Sequence, residues 1–273
     1  MRKDRMISTR TWWIAAIGIV TSAVCLALIQ NSIGTTAEAF FGNLPSLITG
    51  ALACLTALWA ALRFERSGPL RREWLLVGLG MSALFIGDAT YAYLEVVAQR
   101  EVPFPSVADP FYMLSFLLLG GGLLAALISF RGSLDLKMPL GVSFVVCALA
   151  TAALWTSVFW PILGDTDAGR VEKLLAVGYP VGDLWLLAFP ALAVALALAP
   201  LGGGRLAWPW WGLVVGFAGI AASDTAFSLM DSAGTYVTGS ILDAGWWLGY
   251  TAIAFAASLL VDVQKPIRDG EAS

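Results

Sequence analysis

The chain has 273 residues, 59% of them hydrophobic and 13% charged, with a mean hydropathy of +0.79 and a formal net charge of -3. That much apolar surface cannot be hidden inside one soluble core and belongs in a lipid bilayer. The sixteen Lys and Arg residues sit in short loops and form no basic face, and with a pI near 5.0 this argues against a nucleic-acid partner.

Other classes fall away for want of a residue. There is no histidine, so haem, imidazole-held bacteriochlorophyll and most zinc or copper sites lose their commonest ligand. A retinal Schiff base needs a lysine deep in a helix, whereas Lys137, Lys173 and Lys265 all fall at predicted helix ends. Cys25, Cys54 and Cys147 stand in apolar runs without Cys-x-x-Cys spacing and read as small core hydrophobes. No nucleophile-base pair and no metal-ligand spacing is found, so neither an enzyme nor a cofactor is expected.

In chain order, apolar runs long enough to cross about 30 Å of hydrocarbon occupy residues 12–28, 44–62, 74–97 and 110–130. Four more occupy 139–159, 181–199, 208–230 and 240–261. The expected fold is an all-α polytopic membrane bundle of about eight transmembrane helices, a single domain with a short tail over 262–273. The start of the sixth span is ambiguous, because Pro180 interrupts an apolar stretch; residues 165–179 read as a loop with a short interfacial helix. With both termini cytoplasmic, Arg2, Lys3, Arg5, Arg10, Arg63, Arg66, Arg71, Arg72, Arg131, Lys137, Arg205, Lys265 and Arg268 all fall on the inside. Only Arg100, Arg170 and Lys173 fall outside. That asymmetry fits a bacterial inner-membrane protein with an even number of spans. A cleaved signal ending near Ala39 is the alternative for the N-terminus, and a lipoprotein role for Cys25 is disfavoured by Val24.

A pattern recurs along the chain. Asp88, Tyr91 and Glu95 in the third span match Asp224, Phe227 and Asp231 in the seventh, each an acid, an aromatic and a second acid at i, i+3 and i+7 on one helical face. The even spans carry Asp109 before Phe111 and Tyr112, Asp183 before Trp185, and Asp243 before Trp246. In the first two spans only Asn43 to Ser46 offers a polar counterpart. The chain therefore reads as related helix hairpins. Gly120 to Gly122 and Gly202 to Gly204 read as close-packing and turn positions, without the strand-to-helix context of a phosphate loop.

Capping explains Asp109, Asp183 and Asp243 well, since an aspartate at a helix start accepts backbone N-H groups, and Asp109 precedes a proline. It explains Asp88 and Asp224 poorly, because they fall about 21 and 24 Å along their helices, where a charge needs the bundle interior or a water-filled pocket. If the hairpins share an axis, Asp88, Asp109, Asp183, Asp224 and Asp243 converge on an outward-opening pocket. Its aromatic wall would be Tyr91, Tyr112, Trp185, Phe227, Trp246 and Trp247. Carboxylates so placed cannot all ionise cheaply and would hold protons or share a cation. Two interpretations stay open: a site for a small ligand, cation or proton, and a hydrogen-bond network that fixes helix packing.

Gly87-Asp88, the run Pro105-Ser106-Val107-Ala108-Asp109-Pro110-Phe111-Tyr112 and the run Tyr179-Pro180-Val181-Gly182-Asp183-Leu184 carry a family resemblance. They resemble the multi-helix N-terminal membrane region that precedes GGDEF and EAL output domains in many bacterial, especially actinobacterial, cyclic-di-GMP proteins. The likeness runs from about the second span to the eighth. It implies a membrane part that senses or anchors, while cytoplasmic domains make or break the nucleotide. The sequence holds no GGDEF, EAL or kinase segment, so cyclase or phosphodiesterase activity is not expected of it. The expected role is a non-catalytic sensor or accessory protein of the lipid bilayer, alone, as a homo-oligomer or beside a membrane-protein partner. Alternatives from other classes are a small transporter or proton/cation pathway, and a structural subunit of a larger complex carrying pigment or lipid.

Overall fold

The computed structural model describes residues 7–31 and 36–268. Arg2, Lys3 and Arg5 of the charge asymmetry, and the last five residues of the tail, lie outside them. Among the described residues there are eight helices long and apolar enough to cross a membrane, and no strand. They are α1 (Thr9–Gln30), α2 (Ala37–Leu62), α3 (Pro69–Val97), α4 (Asp109–Phe130), α5 (Lys137–Gly164), α6 (Arg170–Leu198), α7 (Leu201–Asp231) and α8 (Ile241–Lys265). The protein is an all-α, multi-pass membrane-type bundle.

Local chemistry sets these elements. Pro69 and Pro110 stand in the first turns of α3 and α4, where a missing N-H costs no hydrogen bond. Several hydroxyls inside the apolar helices are satisfied within their own helix, as when Thr49, Thr56, Ser82 and Thr251 donate to the carbonyl four residues back. α6 is one continuous helix from Arg170, not a short interfacial helix and then a separate span from Val181. It contains Pro180 and takes a π-helical turn over Gly182–Ala188 directly before Phe189 and Pro190. A proline has no N-H for the four-residue ladder and its ring crowds the preceding carbonyl, and a wider turn relieves both.

Six helices close a ring in the order α2, α3, α4, α6, α7, α8, with α8 packed back on α2. α1 lies outside it against α2 and α8, and α5 lies outside against α6. The tightest seam joins α7 to α8, where a Cβ on Gly249 would sit 2.7 Å from the Gly216 carbonyl oxygen. Only glycine allows that approach of two backbones, the small-residue packing usual between membrane helices. α1 is fastened at its start by Asp262 of α8, which accepts from Ser8 N (2.9 Å), Arg10 Nη2 (2.8 Å) and Thr11 Oγ1 (2.7 Å). The Arg10 guanidinium also lies 4.2 Å above the Trp59 ring of α2.

The ring is filled unevenly. Toward the end where α3 and α7 begin, Trp74, Val77, Met81, Leu123, Leu213 and Phe217 are buried and pack into one apolar core. Toward the other end, where α4 and α8 begin, the interior is open and acidic.

Candidate functional site

The open half of the ring is a cavity of about 360 Å³ to which all six ring helices contribute lining side chains. Helical periodicity builds it. α3 presents Asp88, Tyr91 and Glu95, and α7 presents Asp224, Phe227 and Asp231. α4 presents Asp109, Tyr112 and Phe116, and α8 presents Asp243, Trp246 and Tyr250. All four sets fall at i, i+3 and i+7, so each is a single stripe turned inward. The stripes of α4 and α8 extend past the aromatics singled out in the sequence, and the same spacing points to their last members, Phe116 and Tyr250.

Asp109 and Asp243 hold equivalent positions. Asp109 Oδ2 accepts from Ser106 N (2.5 Å), three residues upstream, and Oδ1 accepts from the Tyr179 hydroxyl of α6 (2.5 Å). Asp243 accepts from Gly239 N (2.7 Å), from Ser240 Oγ (3.2 Å) and from the Tyr236 hydroxyl (3.3 Å). Each carboxylate ties off the start of its own helix, as in a capping box, and also anchors a tyrosine from elsewhere. Glu95 likewise accepts from Asn43 Nδ2 (2.6 Å) and Thr238 Oγ1 (2.8 Å), joining α2 and the loop before α8 to α3. Asn43 and Ser46, the polar counterpart in α2, both line the cavity. Tyr236 lies in that loop; burial first, then the neighbouring Asp243 and Tyr91, pushes its hydroxyl well above the usual tyrosine range.

Asp88, Asp183 and Asp224 are different. Asp88 Oδ1 accepts from the Tyr112 hydroxyl (3.1 Å), while Oδ2 is buried without a hydrogen-bond partner. Asp224 Oδ1 accepts from Trp246 Nε1 at 2.6 Å. Asp183 sits well inside α6 and not at its start, so it caps nothing. It is 0% exposed, neither of its oxygens has a partner, and it lies against Asp224 just behind the cavity wall. Of the eleven residues expected there from the sequence, Asp88, Tyr91, Asp109, Tyr112, Asp224, Phe227, Asp243 and Trp246 line the cavity, and Asp183 backs it.

Two of the expected wall residues point elsewhere. Trp185 faces α5, stacking near Phe144 and donating to Thr151 Oγ1 (3.1 Å). Trp247 is fully buried and donates to Ser46 Oγ (3.0 Å). Trp185 stands only two residues after Asp183, about 200° around the helix from it, so it turns to the side of α6 that faces α5. Tyr179 and Phe104 take their places. Phe104, in the loop between α3 and α4, packs on Tyr179 and Phe227, and Tyr236 packs on Phe227 with ring centres 4.7 Å apart. These rings partly roof the cavity, whose mouth is edged by the exposed Glu101, Asp231 and Val237.

Seven carboxylates line this space and, among the described residues that line it, there is no lysine or arginine. Among the described residues no group of three or more His, Cys, Asp or Glu is placed to hold a metal ion. Fold and site thus define a polytopic helical membrane bundle with an acidic, aromatic-walled cavity at one end. Comparison with protein-family models, with curated proteins and with solved structures gives no match.

Proposed function

We infer that the protein is a non-catalytic sensor or accessory protein of a bacterial inner membrane, whose cavity takes a small ligand or cation and biases the packing of the ring helices. One observation carries this: a cavity with many acids and, among its described lining residues, no lysine or arginine ends blindly on the apolar core of Val77, Met81, Leu123 and Phe217. Such a space suits occupancy better than passage. Arg63, Arg66, Arg71, Arg72, Arg131 and Arg205 stand at the end opposite the cavity mouth, which by the positive-inside rule favours a cytoplasmic location for that end and an outward-facing cavity. The resemblance to membrane regions of cyclic-di-GMP proteins adds a partner class, a cytoplasmic output domain.

The test is to reconstitute the purified protein in nanodiscs and in liposomes. Saturable binding of a small cation without flux across the liposome supports a sensor. Flux supports the rival interpretation, a cation or proton pathway. That rival is favoured by Glu73, which is 1% exposed in the first turns of α3, bonded to Ser129 Oγ (2.7 Å) through one oxygen and unpartnered through the other. It stands fifteen residues before Asp88, about 22 Å along the helix, and Val77, Met81 and Leu84 fill the interval.

A further inference from the structure

We propose that the ligand is an organic ammonium ion with N-H donors and a compact apolar group, its nitrogen held by Asp88 and Asp224 and its apolar part resting on Leu84, Leu119, Leu187 and Ile220. The proposal rests on the cavity being a binding site and names the chemistry that fits it.

The carboxylates divide by what already satisfies them. Asp109, Asp243 and Glu95 each take two or more hydrogen bonds from backbone or side-chain donors of the protein. Asp88 and Asp224 face only neutral donors, the Tyr112 and Tyr250 phenols and the Trp246 indole, and Asp88 Oδ2 is buried on the cavity wall without a well-formed hydrogen bond. Asp183, with two unpartnered oxygens, adds a third acid behind Asp224. Buried carboxylate oxygens without donors are costly. A ligand that brings both positive charge and N-H groups removes that cost, which a neutral molecule does not and which an anion would worsen.

The wall favours an organic cation over a bare metal ion. The rings of Tyr112, Phe227, Trp246 and Tyr250 surround the two acids, and aromatic faces attract ammonium groups. No described cluster of acids has the arrangement a metal needs.

Helix direction fixes the polarity of the cavity. α3 and α7 run toward its mouth, so Leu84 and Ile220, four residues before Asp88 and Asp224, lie one turn deeper. α4 and α6 run away from the mouth, so Leu119 and Leu187, seven and four residues after Tyr112 and Asp183, also lie deeper. All four line the cavity. The charge is therefore bound at the waist and the apolar group at the floor.

The experiment is calorimetric titration of the protein in nanodiscs with five probes: 2-phenylethylammonium, its N,N,N-trimethyl counterpart, 2-phenylethanol, 3-phenylpropionate and magnesium chloride. The primary ammonium should saturate one site. The trimethyl compound should bind about tenfold or more weakly, because it has no N-H to give the carboxylates. The other three should show no saturable binding at the same concentrations. Asp88→Asn and Asp224→Asn should each weaken the primary ammonium about tenfold or more, whereas Asp135→Asn, in the exposed loop between α4 and α5 and outside the cavity, should leave it nearly unchanged. If the two inner variants do not fold, Ile220→Phe serves instead: filling the floor should weaken phenylethylammonium but not methylammonium. Tighter binding of the alcohol, the carboxylate or magnesium would overturn the ammonium assignment while keeping a binding cavity. Absence of saturable binding by every probe would overturn both.

Discussion

Asp183 of α6 and Asp224 of α7 lie against each other with no basic group between them, and neither oxygen of Asp183 finds a hydrogen-bond donor. Two acids in contact inside an apolar ring repel unless something positive sits between them. Asp183→Asn keeps the shape, fixes that side chain in an uncharged form and supplies an N-H to Asp224. The variant is expected to be more stable by about 1 kcal/mol or more, read as a higher unfolding temperature in nanodiscs. A lower temperature would mean that the Asp183 carboxyl already holds a bridging proton or cation that an amide cannot replace.

Trp246 Nε1 donates to Asp224 Oδ1 at 2.6 Å, a short bond to a carboxylate that joins α8 to α7 beside their glycine seam. Trp246→Phe keeps a ring in the wall but strands that oxygen. A hydrogen bond to a charged group contributes about 1.5 to 3 kcal/mol, so the unfolding free energy should fall by an amount in that range. Thr151→Val offers a comparison: it removes a neutral acceptor, the hydroxyl to which Trp185 Nε1 donates, with little change of volume, and the loss should be smaller. Equal losses would remove the special role given to the Asp224 carboxylate.

How much of the fold and the cavity is legible in the sequence differs from helix to helix. The spans announce themselves because a bilayer demands unbroken apolar runs, and the inward stripes of α3 and α7 show in the spacing of Asp88 to Glu95 and Asp224 to Asp231. α6 is where inspection fails. Asp243 and Trp246 are three residues apart and share a face, whereas Asp183 and Trp185 are two apart, about 200° around the helix, and meet different neighbours. The pairing of Tyr179 with Asp109 also could not be foreseen, since it joins residues 70 positions apart. The ring order, with α5 left outside, depends on packing that no local pattern encodes.

The attachment of α1 predicts a separable element. Its contacts are with α2 and α8, and its polar anchor is Asp262, which takes three hydrogen bonds from Ser8, Arg10 and Thr11. Asp262→Ala takes the acceptor from Ser8 N and leaves Arg10 and Thr11 only the Ser258 hydroxyl of α8. Amide hydrogen exchange in the first two turns of α1 should rise by about tenfold or more, while binding in the cavity, whose lining includes no residue of α1, should be unaltered. Exchange that rises equally in α2 and α8 would show that α1 is integral to the ring.

Tyr236 predicts how the mouth of the cavity responds to alkali. Its hydroxyl bonds to Asp243, its ring packs on Phe227, and burial followed by the charge of Asp243 holds it protonated above the ordinary tyrosine range. In the unfolded chain the phenol ionises near pH 10, whereas in the folded protein it ionises only at higher pH. The contribution is therefore fully present below about pH 10 and is lost as pH rises from there through the folded-state value. Tyr236→Phe removes that one titration, so the fall in unfolding temperature between about pH 9.5 and 11 should be shallower than in the parent. At pH 7 the variant should be modestly less stable, by about 0.5 to 1.5 kcal/mol for one lost hydrogen bond. An alkaline slope identical to the parent's would mean that the Tyr236 hydroxyl is open to water and that the loop before α8 does not seal this side of the cavity.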